Sequence, residues 1–186
     1  MADKFFNDIS QIRVTELLDT GAADPSATAK TSTVPKELSA DFVYDEGEEL
    51  TQTGGGETVC TITEEDEPKG ADVEITLATL EYDVKGAIAG GTVNMTGPDA
   101  TGWDFPTSTP GPFKLEVWVP KFDTTSSTEG KPDGYLYIVL PYCKGRMSKR
   151  QHAGKGFGED VFSIKARQNP NSGDSAWQED EVATIV

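Results

Sequence analysis

The chain contains very few histidines and cysteines, from which many catalytic and metal sites are built. Its 186 residues include one histidine, His152, and two cysteines, Cys60 and Cys143. A zinc site or a histidine-activated nucleophile would have to use His152, and the nearest acidic residue in sequence is Glu159. We therefore interpret His152 as a solvated loop residue. We expect no catalytic residue, no cofactor-binding residue and no metal ligand in this chain.

Long apolar runs are missing as well. No segment approaches the roughly 18 consecutive apolar residues that are needed to span a bilayer. The N-terminus has neither the basic n-region nor the apolar h-region of a signal peptide. We therefore expect a chain that does not enter a membrane. Its two cysteines are expected to stay reduced and buried in strands, as in a cytoplasmic chain.

Positive charge is scarce. Lys and Arg number 16 against 32 Asp and Glu, which gives a formal net charge of -16 at pH 7. Thirteen of the acidic residues lie between Glu37 and Glu74, where Lys69 is the single basic residue. Such an imbalance makes a compact chain repel itself and disfavours non-specific binding to nucleic acid. Solubility, a cation site and a surface that must not retain nucleic acid remain as explanations.

Two segments approach known binding loops without matching them. Residues 123–133 have the wrong spacing for an EF-hand calcium loop, and residues 154–158 lack the pattern of a phosphate-binding loop and do not open a helix. We interpret both as ordinary loops. The main basic cluster of the chain lies near the second segment, and we expect it to contact an acidic patch on a neighbouring copy. Its members are Lys144, Arg146, Lys149, Arg150 and Lys155.

The alternation of apolar and polar residues predicts about seven strands in a single domain that spans residues 1–186. The strand 135–142 is apolar on both faces, so it is predicted to be central in the fold or covered by another subunit. The predicted strands are 12–18, 42–45, 58–63, 73–77, 113–119, 135–142 and 162–167, with a further short one at 182–186.

Three finer predictions concern the connections. Residues 58–63 and 73–77 are predicted to form a hairpin with an acidic turn at 64–70. At Leu80 the period changes to about four, which predicts a short helix that Thr79 caps and that Gly90 and Gly91 end. Such a short helix must lie against the sheet. Residues 21–35, which we expect to be mobile, and residues 94–112 are predicted to be long loops.

Three stretches carry a resemblance to a known family. They are VEITLATLEYDVKGAIAGG at 73–91, LYIVLPYCK at 136–144 and DVFSIKAR at 160–167. The first resembles the segment of a phage protein in which a strand, a helix and glycines follow one another. The second resembles the strand of that protein that enters a basic loop, and the third resembles the strand after the loop. That family is the major tail tube protein of long-tailed, non-contractile (siphovirus-type) bacteriophages.

The resemblance implies a fold and a function. The fold would be a mainly β sandwich of two packed antiparallel sheets with one short flanking helix and long loops. Copies would join edges into hexameric rings that stack into a tube within the virion tail, assembled in the host cytoplasm. The tube would conduct DNA without binding it specifically, with other tail proteins such as the tape measure as partners. Such proteins are not enzymes and have no cofactor.

Within such a ring, the strand 73–77 makes one side of the wall. Val73, Ile75 and Leu77 are predicted to face the core, which leaves Asp72 and Glu74 on the opposite face. That face is either the channel or the outside. In the channel the two acids would repel phosphates, and on the outside they would serve solubility.

Two other functions remain open at this stage. The chain could be a different structural protein of the same particle, such as a head decoration or a distal tail module. It could also be a cation-dependent ligand-binding β-sandwich that uses Trp103, Trp118 or Trp177 as a sugar platform. Imaging of rings or tubes would separate the first function from both of these.

Overall fold

Strands account for most of the residues that the structure describes, and one helix interrupts them there. The computed structural model describes residues 4–6, 9–33, 35–47, 49–54, 57–63, 65–78, 81–123, 132–151 and 158–185. The helix α1 is Tyr82–Ala89. In chain order the strands are β1 (Lys4–Phe6), β2 (Gln11–Glu16), β3 (Lys30–Ser32), β4 (Pro35–Asp45), β5 (Glu49–Gly54), β6 (Glu57–Thr63), β7 (Glu67–Leu77), β8 (Thr92–Thr96), β9 (Asp99–Asp104), β10 (Phe113–Asp123), β11 (Gly134–Gln151), β12 (Glu159–Arg167) and β13 (Gln178–Val182).

Nine of these strands form one antiparallel sheet in the order β3-β2-β10-β11-β12-β7-β4, to which β1 and β13 are attached. The 18-residue strand β11 belongs to two parts of it. The first part of β11 pairs with β10 and the last part pairs with β12. We call β3, β2, β10 and the first part of β11 the first half of the sheet. The last part of β11 with β12, β7 and β4 is the second half, and the fold is sandwich-like and mainly β.

The core lies on one face of this sheet, which we call the inner face. The register places Val117 opposite both Ile12 and Ile138, and it places Ile164 opposite Val73 and Gly145. Directly opposed residues share a face, so these buried side chains come from both halves and form one cluster. The predicted alternation of core residues is confirmed in β2, β7 and β12.

The middle of strand β11 is buried on both faces, which confirms the prediction for that part of residues 135–142, whereas residues 135–137 and Tyr142 are half-buried. Four successive residues at its middle are buried: Ile138, Val139, Leu140 and Pro141. Cys143 follows as a buried free thiol, and burial raises its pKa. Cys60 lies in β6, but its side chain lies outside the described part of the structure.

Helix α1 packs its apolar face on the sheet, and Val84 and Ile88 are fully buried. The helix approaches β11 at Gly145, where an added Cβ would lie 2.8 Å from Ile88 Cγ2. The predicted stop is confirmed, since Gly90 follows the helix with a φ of 70° that favours glycine. The N-cap position is held by Glu81, which makes no capping hydrogen bond with its side chain. The predicted cap Thr79 lies outside the described residues.

The predicted hairpin is wrong. Strand β6 pairs with β5 and makes a separate two-stranded sheet. Strand β7 begins within the predicted turn, at Glu67, and pairs with β4 and β12. Alternation reports which residues face the core but not which strand is the neighbour, so adjacency in sequence was a poor guide here. The described part of β5–β6 is thus an insertion between the paired strands β4 and β7.

The predicted loops contain strands. Strand β3 lies within residues 21–35 and pairs with β2. The hairpin β8–β9 begins at Thr92 and continues into the predicted loop 94–112 as far as Asp104. These strands are short, exposed and rich in Thr, Asn and Gly, so they lack the apolar alternation that marks a core strand.

The predicted boundaries of two further segments differ from those in the structure. Residues 144–151 of the predicted basic loop continue strand β11, and the C-terminal strand is β13 rather than residues 182–186. Both segments are polar on the exposed face, which hid their strand character. Lys155 lies outside the described residues.

Candidate assembly surface

The outer face of the second half of the sheet carries charges that are sorted by strand. The register places Asp41, Asp72, Lys165 and Lys144 in one row across β4, β7, β12 and β11. The next row is Ser39, Glu74, Ser163 and Arg146. We call Glu37, Asp41, Asp72 and Glu74 the acidic strip, and Lys144, Arg146, Lys165 and Arg167 the basic strip.

Within each strip, like charges lie side by side. Asp41 is directly opposite Asp72, and Lys144 is directly opposite Lys165. Like charges in directly opposed positions destabilise a pair of strands. The arrangement therefore costs free energy in a lone copy of the chain, and a partner that offers the complementary charges would offset it.

Attraction between the acidic strip and the basic strip offsets only part of this repulsion. Arg167 Nη2 donates to Asp72 Oδ1 at 2.9 Å, with side chains that are 30% and 45% exposed. Glu74, Asp41, Lys144 and Lys165 are exposed. Exposed ion pairs contribute about 0–1 kcal/mol, so this surface contributes little to the stability of the single chain.

The acidic strip borders an edge of the sheet. Strand β4 is 11 residues long, stands last in the strand order and pairs with β7 alone among the described strands. An edge of that length presents unpaired backbone groups to any other strand that approaches. The edge and the strips together form the surface that we consider for assembly.

On the outer face of the first half of the sheet, the charge of Glu116 is buried rather than exposed. Glu116 of β10 is 3% exposed, although it faces outward. It accepts hydrogen bonds from Arg13 Nε at 2.8 Å, from Lys114 Nζ at 3.0 Å and from the Tyr137 hydroxyl. Trp118 stacks on Tyr137 with ring centroids 5.0 Å apart, and the Arg13 guanidinium lies 5.0 Å from the Trp118 ring.

This network sets the protonation of its members. Burial alone would raise the pKa of Glu116, but the hydrogen bonds from Arg13, Tyr137 and Lys114 lower it to about 2. Burial and the hydrogen bond to Glu116 raise the pKa of Tyr137 to about 12. Both shifts favour a permanently ionised carboxylate beside a permanently neutral phenol near pH 7. Such a pair neither gives nor takes a proton there, so it serves structure better than acid–base chemistry.

A second buried ion pair fixes the helix. Lys85 of α1 is 1% exposed and pairs with Asp160 of β12, whose side chain is 4% exposed. Arg150 Nε lies 3.4 Å from Asp160 Oδ1, and the Tyr82 and Trp103 rings flank Lys85 at 5.3 and 5.6 Å. The pair ties α1 to the start of β12.

An aromatic groove lies at the end of the inner face. Phe42 is opposite buried Ala71 in the register, yet Phe42 and Tyr44 are each 56% exposed. The Trp177 ring meets Phe42 edge to face, with centroids 5.4 Å apart. The groove has a volume of about 400 Å³, and its lining also includes Pro68, Lys69, Gly70 and Gln168.

Of the three tryptophans considered as a sugar platform, the structure leaves Trp177 in an open groove. Trp118 is 1% exposed, and Trp103 is half-buried, with its Nε1 donating to the Gly90 carbonyl at 2.7 Å. The three do not come together. Two of them are therefore structural, and a platform would have to use Trp177 with Phe42 and Tyr44.

Three further features concern the loop segment after β11, a metal site and a membrane span. His152 and residues 153–157 lie outside them, so the interpretation of that segment is untested. No group of three or more His, Cys, Asp or Glu that could hold a metal ion occurs among the residues that the structure describes. No helix in the same ranges has the length and apolar character to cross a bilayer.

Sequence reasoning missed the network around Glu116. Glu116 alternates with the apolar residues Leu115 and Val117, which is the pattern of an outer-face residue, and outer faces are usually solvated. What places Arg13, Lys114 and Tyr137 around it is the register of β2, β10 and β11. The one available signal was aromatic residues at outward positions of two strands, Trp118 and Tyr137.

Comparison with known proteins adds no relative. No protein-family model matches the chain, and no curated protein matches it in sequence.

Proposed function

We propose that this chain is a structural protein that polymerises with copies of itself, as stacked rings that form the tail tube of a long-tailed phage. One observation carries the proposal: charges on an exposed face are sorted into an acidic and a basic strip beside a long strand edge that no other described strand covers. The resemblance of residues 73–91, 136–144 and 160–167 to the tail tube family supports the same assignment.

Charge sorting favours a second copy as the partner. The acidic strip of one copy is complementary to the basic strip of the next, and both are present on every copy. A contact between two different patches is heterologous, and it closes into a ring when the rotation between copies permits. Ring closure would also cover the edge of β4, which a lone sandwich leaves open.

The role in DNA passage rests on net charge. A tube built from copies that each carry a formal charge of -16 repels phosphates, and DNA then slides without binding. We place the acidic strip at a contact between copies rather than in the channel. The reason is that Lys165 and Lys144 share its face, so that face would not present a uniformly negative wall.

Two measurements test the proposal. Negative-stain microscopy of the purified protein at rising concentration should show rings and stacked tubes, and sedimentation should show a matching loss of monomer. Particles that remain monomeric or trimeric under all conditions would contradict it and favour a decoration or distal tail module. A rise in melting temperature on addition of calcium would instead favour the ligand-binding alternative.

A further inference from the structure

Two exposed apolar features lie at different positions along the strand direction of the sheet. The first is the aromatic groove of Phe42, Tyr44 and Trp177. The second is the segment 105–112, which begins with Phe105 at 73% exposure. This segment reads FPTSTPGP, with three prolines and no charged residue. We call it the proline segment.

The proline segment cannot fill the groove of its own copy. It lines one pocket together with Ala89 and Met147, and Met147 is aligned with Phe162 and Ile75 in the strand register. The groove is level with Gly70. Five residues of extended strand separate Gly70 from Ile75, which is about 17 Å. Any proline segment in the groove must therefore come from another copy.

The chemistry of the two features is complementary. Grooves lined by aromatic side chains bind proline-rich extended segments, because prolines pack on aromatic rings and a pre-extended chain loses little entropy on docking. The groove offers two aromatic side chains that are more than half exposed, and the segment offers Phe105 and Pro106 without a charge that would have to be desolvated.

The charges around the two features are also complementary. The groove adjoins an acidic end of the sheet, formed by Asp45, Glu46, Glu65, Asp66 and Glu67. The proline segment adjoins Arg146, and exposed Lys149 lies three residues further along β11. Opposite charge at the rim of an apolar contact fixes its orientation and steers association. The two ends therefore fit head to tail.

We propose that the proline segment of one copy docks into the aromatic groove of the next copy along the tube axis. The inference deepens the proposed function, on which it rests, by naming the contact between successive rings. Because the groove and the segment are different surfaces, the contact leaves one of each free at every step and extends as an open stack.

Cysteine pairing tests the contact directly. In a Cys60→Ser background, one tagged variant carries Gln168→Cys at the groove and a second carries Thr107→Cys in the proline segment. Both side chains are exposed, and neither is one of the aromatic residues invoked. The two variants are mixed under mild oxidation, and the disulfide-linked heterodimer is quantified. The control replaces Thr107→Cys by Met95→Cys, which is exposed on strand β8.

The expected result is at least a tenfold higher yield for the groove–segment pair than for the control, lost when Phe105→Ser is added. Tubes or rings that form normally while both pairs link equally would overturn the contact and leave the proposed function standing. A selective heterodimer in a preparation that never forms rings or tubes would support the contact and contradict the tube. Monomers without linkage would overturn both.

Discussion

In the first half of the sheet the outward carboxylate of Glu116 is 3% exposed and accepts hydrogen bonds from three side chains. In the second half the outward carboxylates of Asp41 and Glu74 are exposed. Both sets occupy the same outer face of one continuous sheet. The first half neutralises its charge within the chain, whereas the second half sorts its charge by sign and leaves it at the surface.

The difference shows what each half is built for. A buried carboxylate is tolerated only when donors surround it. The donors to Glu116 come from its own chain, so this network belongs to the stability of the single copy. An exposed, sorted surface contributes little to that stability, so its arrangement is better explained by a partner. Stability and assembly should therefore be separable by mutation.

The largest effect on stability should come from Glu116→Ala. It leaves Arg13 and Lys114 without their shared carboxylate and opens a buried site, and we expect a loss of about 3–5 kcal/mol in the free energy of unfolding. Glu74→Ala is the matched control on the other half and should change that free energy by less than about 0.5 kcal/mol. Urea unfolding measures both, and equal losses would remove the distinction between the halves.

Ile138→Ala gives a reference value for the free energy of unfolding that is lost when a buried side chain is truncated. Ile138 is 5% exposed on the strand that both halves share, so its truncation should cost about 2–5 kcal/mol. The same urea titration measures it. A loss below about 1 kcal/mol would show that the side chain is not packed as described.

Acid should remove the stability that Glu116 contributes in the first half of the sheet. Glu116 has a pKa of about 2 in the folded chain against an ordinary value of 4.5, so the unfolded state binds its proton more readily. The contribution of this group is full above about pH 4.5 and is lost as the pH falls toward 2, for a total of roughly 3 kcal/mol. The difference in unfolding free energy between wild type and Glu116→Gln should shrink over that range. A difference that stays constant with pH would contradict the shift.

The inner face was open to prediction from sequence, and the neighbours of each strand were not. Alternation at Ile12, Val14, Val73 and Ile75 requires no knowledge of partners, because burial on one face imposes a period of two. The hairpin prediction failed because β7 takes β4 and β12 as neighbours, which depends on long-range packing. The surface strands β3, β8 and β9 were not predicted, because they bury little apolar surface and show no alternation of apolar residues.

The same limit applies to the candidate site. The sequence showed that acids cluster between Glu37 and Glu74 and that cations cluster after Lys144. It could not show that β12 brings the two clusters onto one face. Only the register places Lys165 between Asp72 and Lys144 and turns two clusters into two strips.

Charge exchange between the strips tests the central claim most directly. One variant reverses the acidic strip with Asp41→Lys and Glu74→Lys, a second reverses the basic strip with Lys144→Glu and Lys165→Glu, and a third carries all four changes. Sedimentation and negative-stain microscopy at physiological salt should show assembly by the wild type, none by either double variant, and recovery in the fourfold variant. All three variants should unfold close to wild type. Assembly by both double variants at the wild-type level would contradict the account.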